Sequence, residues 1–334
     1  MYSYHKRIKI FGLENIPTDK PVLFLPNHQS ALIDVLLIAT NCKRKPYFLT
    51  RADVFSKPVL KRIFKFFRML PIYRIRDGRK TLSNNALLFN ECAELLKKGE
   101  AIVVFPEANH NLMRRVRPLS KGFTRIILRT FEVYPNVDIQ LVPVGFNYKN
   151  ATYFPDEVHV YYGEAISSKS LFVDKNLNRT SLAIKDNVYS RLKELTTHIP
   201  EELDYDVTIS SLIHENANFL NPKEINGKLN FSIPERLSNS NLKSVHQRKS
   251  YLFLVMFMFL NLPITLIWKM VIKPKVPEKE FMGTFRFATG LILYPVYLLI
   301  ILLITSVFLS LQIAFFSVLI LTMFNLILVK YLLK

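Results

Sequence analysis

The chain has 334 residues, half of them hydrophobic, and 45 Lys and Arg against 26 Asp and Glu give a net charge of +19. That much apolar material builds a core, which excludes a disordered chain. Cys42 and Cys92 stand far apart without partner motifs, which excludes a disulfide scaffold and fits reduced cytosolic thiols.

In chain order, the N-terminus Met1-Tyr2-Ser3-Tyr4-His5-Lys6-Arg7 lacks the apolar core of a signal peptide. The first strand is expected at Val22–Leu25, followed by Pro26 and then Asn27-His28, with Asp34 six positions beyond the histidine. A base and an orienting carboxylate at the end of a buried strand are what a proton-transfer site requires. Further strands are expected at Tyr47–Leu49, Ala101–Phe105, Ile139–Val144 and Val158–Tyr162, each short and bounded by Pro, Gly or charged residues. Leu82, Ala86, Phe89, Ala93 and Leu96 form a helical stripe that stops at Lys97-Lys98-Gly99. More helices are expected at about 53–68, 120–133 and 180–197. Strands and helices alternating in this way specify an α/β sheet with helices on its faces. Residues 1–205 form this domain, and 206–249, polar and rich in Asn and Ser, read as a partly ordered connector.

Residues 250–334 differ in kind. From Phe287 to Val329 runs a stretch of 43 positions without Asp, Glu, Lys, Arg or His, about twice the ~20 residues that cross a bilayer as one helix. A transmembrane hairpin is therefore expected at about 287–309 and 312–330, turning near Ser310. Ser250 to Trp268 is a borderline uncharged run containing Asn261 and Pro263, open to three readings: a kinked span, a re-entrant helix or an interfacial helix. The tail from Ser250 carries +5, which leaves +14 on residues 1–249. Beside a hydrophobic anchor, that charge points to an anionic bilayer and phosphorylated substrates and not to nucleic acid. Bases flanking 250–268 place the domain on the cytoplasmic face of a membrane, taken as a bacterial inner membrane.

Four blocks occur in order: Asn27-His28-Gln29-Ser30-Ala31-Leu32-Ile33-Asp34, Leu70-Pro71-Ile72-Tyr73-Arg74, Val104-Phe105-Pro106-Glu107 and Val142-Pro143-Val144. Through them the chain resembles the glycerolipid acyltransferase family, over approximately residues 8–165. The resemblance implies a mixed, mostly parallel sheet flanked by helices, followed here by a helical membrane region. It implies that His28 is a general base taking the proton of a glycerol hydroxyl as it attacks an acyl thioester, with Asp34 orienting the imidazole. An imidazole with pKa near ~6.5 accepts such a proton at neutral pH. Asn27, Arg51, Arg74, Glu107, Arg114, Arg115 and Lys121 are the expected substrate-binding residues. The cations suit a phosphate, through charge-assisted bonds or at the helix start after Lys121-Gly122. Glu107 also reads as a cap on the following turn. The expected partners are membrane lipids, a phosphorylated glycerol acceptor, and acyl-CoA or acyl carrier protein as donor. No metal or other cofactor is expected.

Two departures from the family pattern leave alternatives open. Five residues instead of four separate His28 from Asp34, and on a regular helix positions six apart lie about 120° from facing each other. Either His28 precedes the helix, with Asp34 in an early turn, or the helix is over-wound or bulged. After Pro106-Glu107 the usual Gly, Thr and Arg are replaced by Ala108-Asn109-His110. An inactive membrane-anchored lipid-binding homologue and a transacylase or hydrolase are the alternative readings.

Overall fold

The computed structural model describes residues 1–55, 58–73, 84–173, 176–231 and 248–333. Among them, β1 (Arg7–Phe11), β2 (Val22–Pro26), β3 (Tyr47–Arg51), β4 (Met69–Ile72), β5 (Ala101–Val103), β6 (Gln140–Tyr148), β7 (Glu157–Tyr162) and β8 (Ile166–Ser167) form one sheet. Its order is β1-β7-β6-β2-β5-β3-β4, with β8 on β6. From β6 to β4 the strands run parallel, whereas β7 and β8 are antiparallel to β6. This is the mixed, mostly parallel sheet expected.

Successive residues of β2 point to opposite faces, as strand geometry requires, and both faces are buried. Leu23 and Leu25, with Ile102 and Leu141, meet Leu88, Cys92 and Leu96 of α3 (Asn84–Lys97), Phe123 and Ile126 of α4 (Gly122–Val133), and Ile184, Val188 and Leu192 of α5 (Leu177–Leu195). Val22 and Phe24, with Val103, Val142 and Val144, meet Ile33, Leu37 and Ile38 of α1 (Ala31–Asn41) on the other face. The short α2 (Pro58–Phe66) links β3 to β4. The crossover after β2 runs over α1 to β3, and the crossover after β5 runs over α4 on the opposite face to β6. Neighbouring strands thus send their chains in opposite directions, and a crevice opens at their carboxyl ends, where open α/β sheets bind ligands.

The expected connector is in part well-packed structure. The helices α6 (Tyr205–His214) and α7 (Pro222–Phe231) lie on the domain, with Leu212, Phe219 and Ile225 burying Ile199 between them. Asn226 donates to the carbonyls of Lys193 and Thr196 and accepts from His198 N–H. Residues 206–231 therefore belong with the domain, because an apolar cluster without helical regularity still closes a small core. The remainder, 232–247, lies outside the described residues.

Among the described residues, two helices are long and apolar enough to cross a membrane: Lys279–Phe308, containing α10 (Met282–Phe308), and Leu311–Leu332, containing α11 (Leu311–Ile327). The first begins before the uncharged run and takes in Arg286. Before them, α8 (Arg248–Leu260) and α9 (Leu262–Leu266) belong to a pair bent by 101° around Asn261. Asn261 and Asn325 exchange amide hydrogen bonds of 2.8 and 3.2 Å, and Tyr297 donates to the Leu260 carbonyl freed at the break. In an apolar setting such reciprocal pairing satisfies polar groups that would otherwise be costly.

The tail is fastened to the domain at both ends. Lys330 Nζ donates to the carbonyls of Tyr2 and His5, the latter at 2.8 Å. His5 itself is 2 % exposed, and burial pushes its imidazole from 6.5 down to about 4. A histidine that protonates near 6.5 unfolded and near 4 folded leaves stability intact above the first value and removes it as pH falls toward the second, by up to ~3 kcal/mol. Between pH 7 and pH 4.5, the thermal midpoint in detergent should fall further for the wild type than for His5→Phe. Equal falls would rule the histidine out as the cause.

Candidate active site

Pro26 closes β2 and the chain leaves the sheet into the loop Asn27–Ser30, with α1 beginning at Ala31. His28 sits in that loop and Asp34 in the first turn of α1, so the six-residue separation is spanned without over-winding the helix. Ala31 takes φ 41°, the left-handed bend that turns the loop back over the helix start. His28 Nδ1 lies 2.8 Å from Asp34 Oδ2. The same oxygen accepts the N–H groups of Gln29 and Ser30, each at 2.8 Å, as a capping carboxylate does. The other oxygen accepts a short bond from the Tyr148 hydroxyl at the end of β6. Asp34 is 0 % exposed, so each of these donors offsets part of the cost of burying its charge. Burial, with Asp34 second, holds Tyr148 well above its ordinary pKa of 10, which keeps it a donor.

A carboxylate that only accepts fixes the proton of His28 on Nδ1 and leaves the lone pair on Nε2. The ring stacks on Phe105 from the end of β5, centroids 3.9 Å apart, and meets the edge of His110 at 5.7 Å. His110 in turn packs on Phe281 and pairs through Nε2 with Glu278 Oε2 at 2.7 Å. His28 is 14 % exposed, enough to be reached from outside. A held imidazole with an open nitrogen can take a proton from an adjacent hydroxyl and return it to a leaving group.

The membrane helix starts against this loop. Thr284 Oγ1 accepts the Leu32 N–H of the first turn of α1 at 3.1 Å, and Tyr4 donates to the Gly283 carbonyl. A Cβ on Gly283 would stand 3.0 Å from Ser30 Oγ, so the close approach of helix to loop uses the missing side chain. The site therefore sits where α10 leaves the domain.

The other expected residues divide. Asn27 is 4 % exposed, donates to the Phe146 carbonyl and accepts the Phe146 N–H, which makes it a fastener between β2 and β6. Arg51 shares the carboxyl end of the sheet but is paired with Asp53. Arg74 lies outside the described residues. Glu107 accepts both the backbone N–H and the guanidinium of Arg117, at 3.1 and 2.9 Å, and so braces its own loop instead of capping the next turn. Arg115 is given over to the carbonyls of Ile199, Pro200 and Leu203, because the segment leading into α6 presents three oxygens to it. Lys121 is exposed at the start of α4, held near Pro106 by the Ser120 N–H to Pro106 carbonyl bond. Arg114 donates to the carbonyls of Tyr148 and Lys149 and lies 3.7 Å from the Phe219 ring centroid. Burial lowers its pKa to about 10, opposed by Tyr205 and Asp156. Tyr148, Phe105 as a stacking partner, and the pair His110–Glu278 were not assigned from sequence. For Phe105 its place one residue before Pro106-Glu107 was the available signal.

Ala108 stands at φ 63°, a left-handed turn at the position where the family carries glycine. The left-handed region costs a non-glycine residue about 1–2 kcal/mol, and glycine's added chain entropy returns ~0.5–1 of it. Ala108→Gly should therefore raise stability by roughly 0.5 kcal/mol, read as a higher melting midpoint. A lower midpoint would mean that the turn is held by the alanine side chain.

A family model described as Acyltransferase matches residues 7–147. The chain is 31% identical over 146 residues to the chloroplastic 1-acyl-sn-glycerol-3-phosphate acyltransferase BAT2 of Brassica napus, covering 43% of this chain and 40% of that protein. It is 28% identical over 139 residues to the mitochondrial glycerol-3-phosphate acyltransferase 1 of Mus musculus, covering 39% of this chain and 17% of that one. The chain thus spans less than half the length of these curated relatives. A crystal structure of the 1-acyl-sn-glycerophosphate acyltransferase PlsC of Thermotoga maritima superposes at TM-score 0.39 with 21% identity, over 56% of this chain and 72% of that one. The matched segment contains His28, Asp34 and the Phe105-Pro106-Glu107 strand end, so residues 7–147 are similar to the acyltransferase family across the whole candidate site.

Proposed function

We propose that the protein is a membrane-bound O-acyltransferase that moves a fatty acyl group from a thioester, acyl-CoA or acyl carrier protein, to glycerol-3-phosphate or 1-acylglycerol-3-phosphate. The observation that carries this reading is the His28 Nδ1 to Asp34 Oδ2 bond of 2.8 Å, with Nε2 left open beside the crevice. The relatives' names agree on a phosphorylated glycerol as acceptor.

In the proposed reaction the acceptor hydroxyl gives its proton to His28 Nε2 as its oxygen attacks the thioester carbonyl. The tetrahedral species collapses, the carbon–sulfur bond breaks, and the imidazolium returns the proton to the departing thiolate, so an ester and a thiol are formed. Asp34 stays ionised and stabilises the imidazolium. Two apolar helices, with α10 starting at the catalytic loop, support a site at a membrane surface, where the acyl tail stays in lipid while the headgroup reaches His28. The bases flanking 250–268 support a cytoplasmic side for that surface.

The test is to supply membranes containing the protein with labelled acyl thioester, with and without the phosphorylated acceptor. Labelled ester should form only when the acceptor is present. Labelled free fatty acid at the same rate without acceptor would identify a hydrolase instead.

A further inference from the structure

A cavity of about 280 Å³ lies beside the catalytic loop, lined by the polar residues Gln29, Arg114, Tyr148, Asn150, Thr152 and Lys279. The other two lining residues are apolar, and none of the eight is an acid. Gln29 follows the base, and Tyr148 shares Asp34 with it, so the cavity adjoins the place where an acceptor hydroxyl must lie. Lys279 comes from the opposite direction, at the first residue of the membrane-crossing helix. The domain and the membrane tail thus each contribute one cation to a single opening.

We propose that this cavity receives the phosphate monoester of the acceptor, with Lys279 a specificity-determining residue and Arg114 its partner, an inference that rests on the acyl-transfer reading. Two cations without a carboxylate select a compact dianion through charge-assisted bonds. Arg114 is fixed by the Tyr148 and Lys149 carbonyls and keeps its charge at neutral pH, which makes it a pre-set anchor. Thr152 and Asn150 are ordered by the 2.8 Å bond from Thr152 Oγ1 to Asn150 Oδ1, at the rim of the same opening. The volume, just below the ~300–1,000 Å³ of pockets that bury drug-sized ligands, has room for a glycerol phosphate headgroup. Lys279 at the membrane boundary also lets the headgroup of a lipid acceptor enter while its chain remains in the bilayer.

The experiment measures kcat and KM for the full chain in membranes, with three substrates varied in turn: phosphorylated acceptor, the same acceptor without phosphate, and thioester donor. Lys279→Gln should raise KM for the phosphorylated acceptor roughly 5- to 20-fold with kcat nearly unchanged, and Lys279→Arg should restore it. KM for the acceptor lacking phosphate should not move. An unchanged KM for the phosphorylated acceptor would overturn the proposal, and so would a rise confined to the donor. A parallel arm does not depend on turnover: glycerol-3-phosphate should raise the melting midpoint of the wild type more than that of Lys279→Gln, and equal shifts would also overturn it. A wild-type chain that forms no ester but shows the unequal shifts would refute acyl transfer while leaving the phosphate site standing.

Discussion

His28→Ala should lower acyl transfer by roughly a thousand-fold, within the ~10²–10⁴ that a positioned general base contributes, while the protein still inserts and melts as the wild type does. The ring is partly exposed and makes one side-chain hydrogen bond, so its removal leaves the fold almost intact. Because proton transfer occurs only as the acceptor attacks, the loss should fall on kcat, with KM for acceptor and donor near their wild-type values. A variant that turns over within ten-fold of wild type would remove His28 from the chemistry.

Asp34→Asn tests the other half of the pair and should cost about 10²- to 10⁴-fold in kcat, the range set by loss of an orienting carboxylate elsewhere. The substituted amide has one way to fit. Its oxygen must stay where Oδ2 accepts from His28, Gln29 and Ser30, and its NH₂ then faces the Tyr148 hydroxyl, which can rotate to accept. The fold survives, but the imidazolium that forms during attack no longer faces a charge. Asp34→Ala is a different experiment. It strands buried donors on Gln29, Ser30 and Tyr148, each at a cost of about 1–3 kcal/mol, so that variant should be both inactive and much less stable. Full activity in Asp34→Asn would show that the 2.8 Å contact only holds the loop.

The parts legible in sequence are those where local pattern and tertiary role coincide. Val22–Leu25 and Ile139–Val144 read as strands because both faces of the central sheet are covered and nearly every side chain is apolar. The α3 stripe and the hairpin of α10 and α11 were equally plain, since period and length carry them. By contrast β1, Arg-Ile-Lys-Ile-Phe at the sheet edge, is half polar and short, and β4 contains Pro71. Neither offers a run long enough to stand out. Helix geometry leaves two placements for His28, before α1 or within an over-wound turn, and the structure has the first; Tyr148 could not be found that way, because it lies 114 positions from the carboxylate it serves. The cations show the same limit from the other side. Sequence groups Arg114 with Arg115, yet neighbouring residues face different partners, and the structure turns Arg115 to the 199–203 carbonyls while Arg114 reaches the cavity. Lys279 enters the sequence reading only through the tail's net charge, since nothing local ties it to a loop some 250 residues earlier.

The account assigns His28 to the acceptor alcohol and gives the protein no nucleophile of its own, and rapid quenching tests this most directly. Purified protein is mixed with labelled acyl thioester alone, denatured at intervals, and then challenged with phosphorylated acceptor. The account predicts no label bound covalently to the protein before the acceptor is added and prompt labelled ester afterwards. Label that stays on the denatured protein and passes to the acceptor would mean an acyl-enzyme, and would contradict direct attack.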